Sequence, residues 1–528
     1  MKHYSESFNK RSRLIIAPEL EGRRRGRLGS PDAATLRDRI VEALRVQQDS
    51  YPCFDWVFPP PVFPKTPGPG RADALFTYPS VVPGTYSIYM HIPFCKTLCS
   101  FCYYRVLPAR GGDEKSTYVD YLVREMAMYR ESLRGLRCES VYVGGGTPTT
   151  LDDAQLVRLF DAVRDNFDLE RDAEVSIESA PDTLPQDKVA LLKSLGVNRL
   201  SYGIQTLDEG LLATMNRYYT VDGAIKELEA ALPLIGNINV DTIYGFENEP
   251  DDALFRTVTT FERLGVPCLT IYSLDTQRSV RKNVWLGPPR DSLFYRKIEI
   301  YHDAKDLLAS LGYQALFQNT FAKPGLGSYR HQLRRWENVS LVALGVGSMG
   351  YAPRKPYQNY GTTGAYFEHV DAGELPIEAI EALTPEMELA RQVITELRFA
   401  RVDLRGVREK YGVDVQVVFG DLLRVLGELG LLERQGDEIL LSKAAAPYNN
   451  VLPMLFSPDS FKEDLLRLPE DYLAAMPIPL VVTGIGATQS APLEMGPSAS
   501  GAKDVDPAID GGFYPDGSCP VMGDDRRA

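Results

Sequence analysis

Tyr89-Met-His-Ile-Pro-Phe-Cys95-Lys-Thr-Leu-Cys99-Ser-Phe-Cys102-Tyr103 decides how this chain is read. Its three cysteines follow a C-x3-C-x2-C spacing, with Phe101 just before the third. Three thiolates hold three irons of a [4Fe–4S] cluster and leave the fourth iron without a protein ligand. S-adenosylmethionine (SAM) chelates such an open iron through its amino and carboxylate groups. One electron from the cluster then cleaves the sulfonium and releases a 5′-deoxyadenosyl radical. The bland alternative is a structural zinc site, which closes on four ligands, commonly paired as C-x2-C. No second Cys/His pair stands nearby, and Cys53, Cys138, Cys268 and Cys519 are scattered. His91 precedes Cys95 by four residues, but strand alternation places it awkwardly as a fourth ligand. Cys95, Cys99 and Cys102 are therefore the candidate cluster ligands.

Around this loop the chain alternates strand and helix. Short apolar runs rich in β-branched or aromatic residues predict strands at 85–91, 139–144, 173–178, 198–204, 237–243 and 268–274. Helical patterns separate or follow them at 114–134, 152–166, 185–195, 208–215, 220–235 and 251–264. Such alternation implies parallel pairing through right-handed crossovers. The expected fold class is α/β, a partial (β/α)6 TIM-type barrel. Chemistry in that architecture sits at the C-terminal ends of the strands. The cysteine loop follows the first strand, where a site belongs.

The remaining chain divides by composition. Residues 1–80 form an arm with a helix expected over 32–48 and a proline-rich strap from Tyr51 to Pro69. The strap either covers the barrel opening or wraps the surface. The basic run Arg23, Arg24, Arg25 and Arg27 reads as a solvated arm. Residues 81–280 hold the barrel, 281–375 a mixed α/β extension, and 376–482 a small C-terminal module. Within that module a helix at 385–398, two more to Leu429 and a hairpin at Leu432–Leu441 suggest a winged helix. Residues 483–528, rich in Gly, Pro, Ser, Ala and Asp, are expected to be disordered.

A formal charge of −13 over 528 residues argues against a nucleic-acid binder. Met1 to Pro18 lacks the apolar run of a secretory signal, and no stretch approaches a membrane span. Seven cysteines without a pairing pattern fit a reducing, cytoplasmic setting.

Other residues gain meaning from their places at strand exits. Gly144-Gly145-Gly146-Thr147-Pro148-Thr149 follows the second strand, and exposed N–H groups there would bind the amino or carboxylate end of SAM. Glu178 ends the third strand and would accept from the SAM ammonium or ribose hydroxyls. Gln205 ends the fourth strand. Arg217 follows it and would pair with the SAM carboxylate. Asp241 would hold a ribose hydroxyl or Arg217 itself. Gly345-Val346-Gly347-Ser348-Met349-Gly350 reads as a tight turn close to the site rather than a dinucleotide loop.

Taken together, these residues resemble the HemN-like branch of radical SAM enzymes, that of oxygen-independent coproporphyrinogen III oxidase. The likeness rests on Tyr89–Cys95, Cys99–Cys102, Gly144–Thr149, Glu174–Glu178, Asn198–Gln205, Asn216-Arg217, Asp241–Gly245 and Leu344–Gly350. It implies a [4Fe–4S] cluster and SAM, with Tyr89, Gly145, Gly146, Thr147, Glu178, Gln205, Arg217 and Asp241 around the first SAM. It also implies a second SAM near Phe101 and Ile243. One departure stands out: the oxidase continues with a Cys-Gly-Cys run, whereas here Cys102 is followed by Tyr103 and Tyr104. Branch members with that departure are often methyltransferases or cyclopropanases of natural-product pathways. The leading expectation is therefore transfer of a methyl or methylene carbon from a second SAM to an sp2 carbon of a conjugated or aromatic small molecule. Tyr103, Tyr104 and Arg105 are candidates for proton movement. A reductase or flavodoxin-type donor would supply the electron. The alternatives are porphyrinogen decarboxylation, or a haem-handling protein.

Overall fold

The computed structural model describes residues 33–46, 66–78, 80, 82–102, 104, 106–108, 111–274, 291–448, 451–465, 483 and 485. The arginine run at 23–27, most of the strap, Tyr103, Arg105, Cys53 and Cys519 lie outside these residues.

Strand β1 (Thr85–Ile92) leads into the short β2 (Phe94–Cys95), which pairs with β3 (Leu107–Pro108) across the cysteine loop. Five further strands follow, each after a helical crossover: β4 (Arg137–Gly145), β5 (Leu169–Ser179), β6 (Arg199–Gln205), β7 (Asn237–Tyr244) and β8 (Cys268–Ser273). They pair in parallel in the order β1-β4-β5-β6-β7-β8. The six predicted strands and the crossover helices stand where the apolar periodicity puts them. The helix Gly112–Tyr129 shows why: Tyr118, Val119, Leu122, Met126 and Tyr129 recur at helical spacing and are all buried.

The described part of the mixed α/β extension, 291–375, adds strands to the same sheet. Two short strands, β9 (Gln314–Ala315) and β10 (Thr320–Ala322), extend the β8 edge antiparallel. Strand β11 (Ser340–Leu344) runs parallel to β1 on its other side, and β12 (Met349–Ala352), β13 (Lys355–Asn359) and β14 (Ile377–Ile380) continue antiparallel. The barrel sheet thus has twelve strands. The foot of the strap docks on its far edge, where Thr66 bridges Ile380. Beyond lie the helices Pro385–Glu396, Leu404–Tyr411 and Val415–Glu428. A small sheet of β15 (Arg401–Asp403), β16 (Leu432–Gln435) and β17 (Glu438–Leu441) completes the winged-helix pattern. The helix Ala33–Val46 packs into this second core through Leu36, Ile40, Ala43 and Leu44. Among the described residues no helix is long and apolar enough to cross a membrane.

The glycine turn after β11 is organised by a buried carboxylate. Glu125 Oε2 accepts from Gly345 N (2.8 Å) and Tyr366 Oη (2.5 Å), while Oε1 accepts from Asn359 Nδ2 (2.8 Å). Gly345 has φ +92°, and a Cβ there would lie 2.5 Å from Tyr118 Oη and 2.7 Å from His91 O. The turn therefore buttresses the end of β1, just before the cysteine loop. Glu125→Ala would leave two buried donors, Gly345 N and Tyr366 Oη, without an acceptor, at a cost of about 2 kcal/mol or more. Its expected outcome is a lowered thermal midpoint by calorimetry, with the helical content of the remaining native protein unchanged.

Candidate active site

Residues that alternate on the strands line the barrel interior, and on this chain they are polar. Ser140 Oγ donates to Ser87 Oγ (2.9 Å) and meets His331 Nδ1 (2.9 Å). Asn239 Nδ2 donates to Asp241 Oδ1 (2.8 Å) and Ser201 Oγ (3.2 Å). Thr270 Oγ1 donates to Asn239 Oδ1 (2.9 Å). Buried polar groups need such partners. The interior also holds an aromatic run in which Tyr142 stacks on Tyr89, Tyr329 and His331, with ring centroids 5.0–6.2 Å apart. Burial drives the His331 pKa down to about 3, so its ring is neutral.

At the C-terminal mouth, Cys95 is buried at the end of β2, and Cys99 and Cys102 are half-buried in the following loop. Thr147 Oγ1 donates to Cys95 Sγ at 3.7 Å. The loop after β6 holds the cysteine loop from the side. Ser100 N and Oγ donate to Met215 O and Thr214 O, and Asn216 Nδ2 donates to Leu98 O (2.7 Å). Among the described residues no three His, Cys, Asp or Glu side chains converge on a single metal ion. A cluster asks for something else, one thiolate per iron at separate corners. Burial pushes the Cys95 thiol up to about 12, a cost that iron ligation reverses by stabilising the thiolate.

Arg217 is the neighbouring cation. Burial works against its charge, and the Cys99 thiol, Tyr219 and the other two thiols favour it. Its Nη1 donates to Gly203 O (3.1 Å), and its Nε is buried with no partner. A carboxylate brought beside the cysteine loop would satisfy that orphan donor. Gln205, at the end of β6, has φ +75°, an uncommon conformation for a residue with a side chain. Its amide nitrogen lies 2.8 Å from where a Gly203 Cβ would stand. The strained strand end, the orphan Nε and the three thiols fit SAM and its cluster.

The glycine loop works differently from the expectation. Gly145 N donates to Glu178 Oε2 (3.0 Å), Gly146 N to Ile92 O (2.8 Å) and Thr147 N to Phe94 O (2.7 Å). Its N–H groups are thus spent inside the protein. Room is the reason for glycine. A Cβ on Gly145 (φ +114°) would lie 2.6 Å from the His91 ring, and one on Gly146 would lie 2.6 Å from Phe94 O. His91 is accordingly a packing partner of this loop and of Tyr89 Oη (3.1 Å). Glu178 also accepts from Tyr142 Oη (2.7 Å). Asp241 takes Ser201 Oγ (3.0 Å) and Asn239 as its hydrogen-bond partners, rather than Arg217.

Phe101 and Ile243 do come together, in an apolar cluster with Leu211, Met215, Phe246 and Leu274. Tyr104 is 53% exposed. Sequence reasoning missed Tyr142, Arg199, Tyr329 and His331. Period-two alternation on β4 and β6 marks the first two, whereas nothing local marks the others. Gly146→Ala is expected to displace the Phe94–Cys95 backbone. Reconstituted protein should then hold severalfold less iron and sulfide, while its far-ultraviolet dichroism stays native.

Comparison with known proteins extends this geometry. The Radical SAM superfamily model matches residues 89–260. The heme chaperone HemW of Mycobacterium tuberculosis is 29% identical over 367 residues, covering 68% of this chain and 91% of its own. The oxygen-independent coproporphyrinogen III oxidase of Helicobacter pylori strain J99 is 27% identical over 370 residues, 66% of this chain and 80% of its own. The solved structure of Escherichia coli coproporphyrinogen III oxidase, HemN, superposes with a TM-score of 0.63 at 25% identity, covering 73% of this chain and 92% of that one. These relatives bear haem-linked names and lend no support to carbon transfer, so the haem-linked alternative now leads. With its cysteine loop hung from the first strand of a barrel shared over that length, this chain is similar to the HemN-like branch of radical SAM proteins, and the likeness supports a radical SAM enzyme that carries a [4Fe–4S] cluster and uses SAM.

Proposed function

We propose that this enzyme handles haem or a closely related cyclic tetrapyrrole, using SAM at the site described above. The observation that carries this reading is the reach of the likeness. It runs through 91% of the HemW relative and 92% of HemN, far past residues 89–260. The cluster loop favours haem handling over porphyrinogen oxidation, because Cys102 is followed by Tyr103 and Tyr104 in place of the oxidase's Cys-Gly-Cys.

When bound, the cluster and SAM supply a hydrogen-abstracting deoxyadenosyl radical. The protein's own groups orient the nucleotide. Arg217 Nε would donate to its carboxylate, carbonyls of the glycine loop would accept from its ammonium, and Glu178 and Asp241 would accept from its ribose hydroxyls. The mouth suits a flat, conjugated partner. Tyr272, two residues after Thr270 on the inward face of β8, is 40% exposed and stands in register with Ile243. Tyr104 and Tyr218, at 53% and 74% exposure, rise from the loops that meet at the cysteines. Exposed aromatic faces stack on conjugated rings. A flavodoxin-type reductase is the proposed electron source.

Anaerobic titration tests this reading. Reconstituted protein is expected to take up about one haem per chain with a shifted Soret band, and Tyr272→Ala is expected to weaken that uptake about tenfold. Coproporphyrinogen III with SAM and reductant should release no CO2, and methyl-labelled SAM should leave no label in the tetrapyrrole. Decarboxylation without haem uptake, or labelled product, overturns the proposal.

A further inference from the structure

The floor of the barrel holds a guanidinium that the site above leaves unexplained. Arg199 opens β6 on its inward side and is fully buried. Its Nε donates to Ser328 O (3.0 Å), and its carbon lies 3.6 Å from the Tyr329 ring centroid. Both Nη atoms are buried without a hydrogen-bond acceptor. A buried cation in that state needs negative charge nearby to persist.

Three carboxylates of the interior provide it. Glu174, on β5, is committed to the floor, accepting from Ser328 Oγ, Arg330 N and His331 N. The other two belong to the SAM site. In the β5–β6 register Arg199 faces Ser176, one inward position below the Glu178–Ser201 pair. Ser201 in turn donates to Asp241 of β7. One column of inward residues thus climbs from Arg199 through Ser201 to both carboxylates.

We propose that Arg199 is a positioning residue for SAM: its buried charge holds Glu178 and Asp241 as carboxylates, ready to accept from the bound nucleotide. This rests on the reading that those two residues contact SAM. The balance is close. Burial, with repulsion from Asp241, pushes Glu178 up to about 7; Tyr142, Gly145 N and Arg199 oppose it. Burial also raises Asp241, opposed by Asn239, Ser201 and Arg199. The other titratable groups facing this pair are Tyr89 on β1, Tyr142 on β4, Glu174 on β5, Cys268 on β8 and Tyr329 from the floor, all of which become negative or stay neutral. Arg199 is the cation acting on both carboxylates.

An acid whose pKa is raised loses its charge as pH falls through the raised value, so SAM affinity should fall as pH drops through about 7. Removing Arg199 moves that fall upward. Equilibrium dialysis of radiolabelled SAM against reconstituted, unreduced protein between pH 6 and 8.5 measures it without turnover. Arg199→Met is expected to shift the midpoint up by about one unit, weakening binding about fivefold at pH 7, about tenfold at pH 6 and little at pH 8.5. Arg199→Lys should keep the wild-type profile. If Arg199→Met does not fold, Tyr329→Leu, which loosens the guanidinium, should shift the midpoint in the same direction. An unchanged profile, or uniform weakening at every pH, overturns the proposal while leaving the SAM site standing. Wild-type protein that binds no SAM at any pH overturns the site itself.

Discussion

The hydrogen bond from Gly145 N to Glu178 Oε2 is the contact on which the rest of the site depends. It ties the loop after β4 to the neighbouring strand, and Tyr142 Oη holds the other carboxylate oxygen. Once that loop is set, Gly146 N and Thr147 N reach back to Ile92 and Phe94, and Thr147 Oγ1 reaches Cys95. Cys95, the first candidate ligand, is therefore held from β5, through two strands and five hydrogen-bonded groups, as well as by the β2–β3 pairing of its own loop. Glycine is needed at 145 and 146 because any Cβ there would strike the His91 ring or the Phe94 carbonyl.

The same economy runs down the barrel. Its interior is lined by Ser, Asn, Thr and charged groups that satisfy one another across strands, and the cost of burying them is met by those mutual hydrogen bonds. Where partners run out, at Arg217 Nε near the mouth and at Arg199 on the floor, the chain leaves a donor without an acceptor. At the mouth a carboxylate-bearing ligand would complete the set. On the floor, Tyr329 and the carboxylates of β5 and β7 temper the charge. The segment that carries Tyr329 and His331 closes this end because Glu174 accepts two of its backbone N–H groups.

Much of this was legible in the residues alone. The three candidate cluster thiols stand out in the 95–102 spacing, and the barrel follows from alternation of six strand patterns with helical ones, because both signals are local and periodic. The winged module was legible for the same reason. Residues 281–375 were not, since β11 joins β1 across some 250 residues and pairs by register rather than by pattern. Nor was the use of the glycine loop. Whether an N–H faces a ligand or a carboxylate depends on the neighbouring strand.

The sequence by itself determined the chemistry on offer: three thiols, an arginine at a strand exit, two carboxylates and a set of glycines at a strand end. Tertiary structure alone decided which donors remain open. It sealed the glycine N–H groups, turned Asp241 toward Ser201 instead of Arg217, and set Arg199 beneath both carboxylates. The physical reason is that hydrogen bonds and charge act over a few ångströms in space, and the partners here lie 33 to 157 residues apart along the chain.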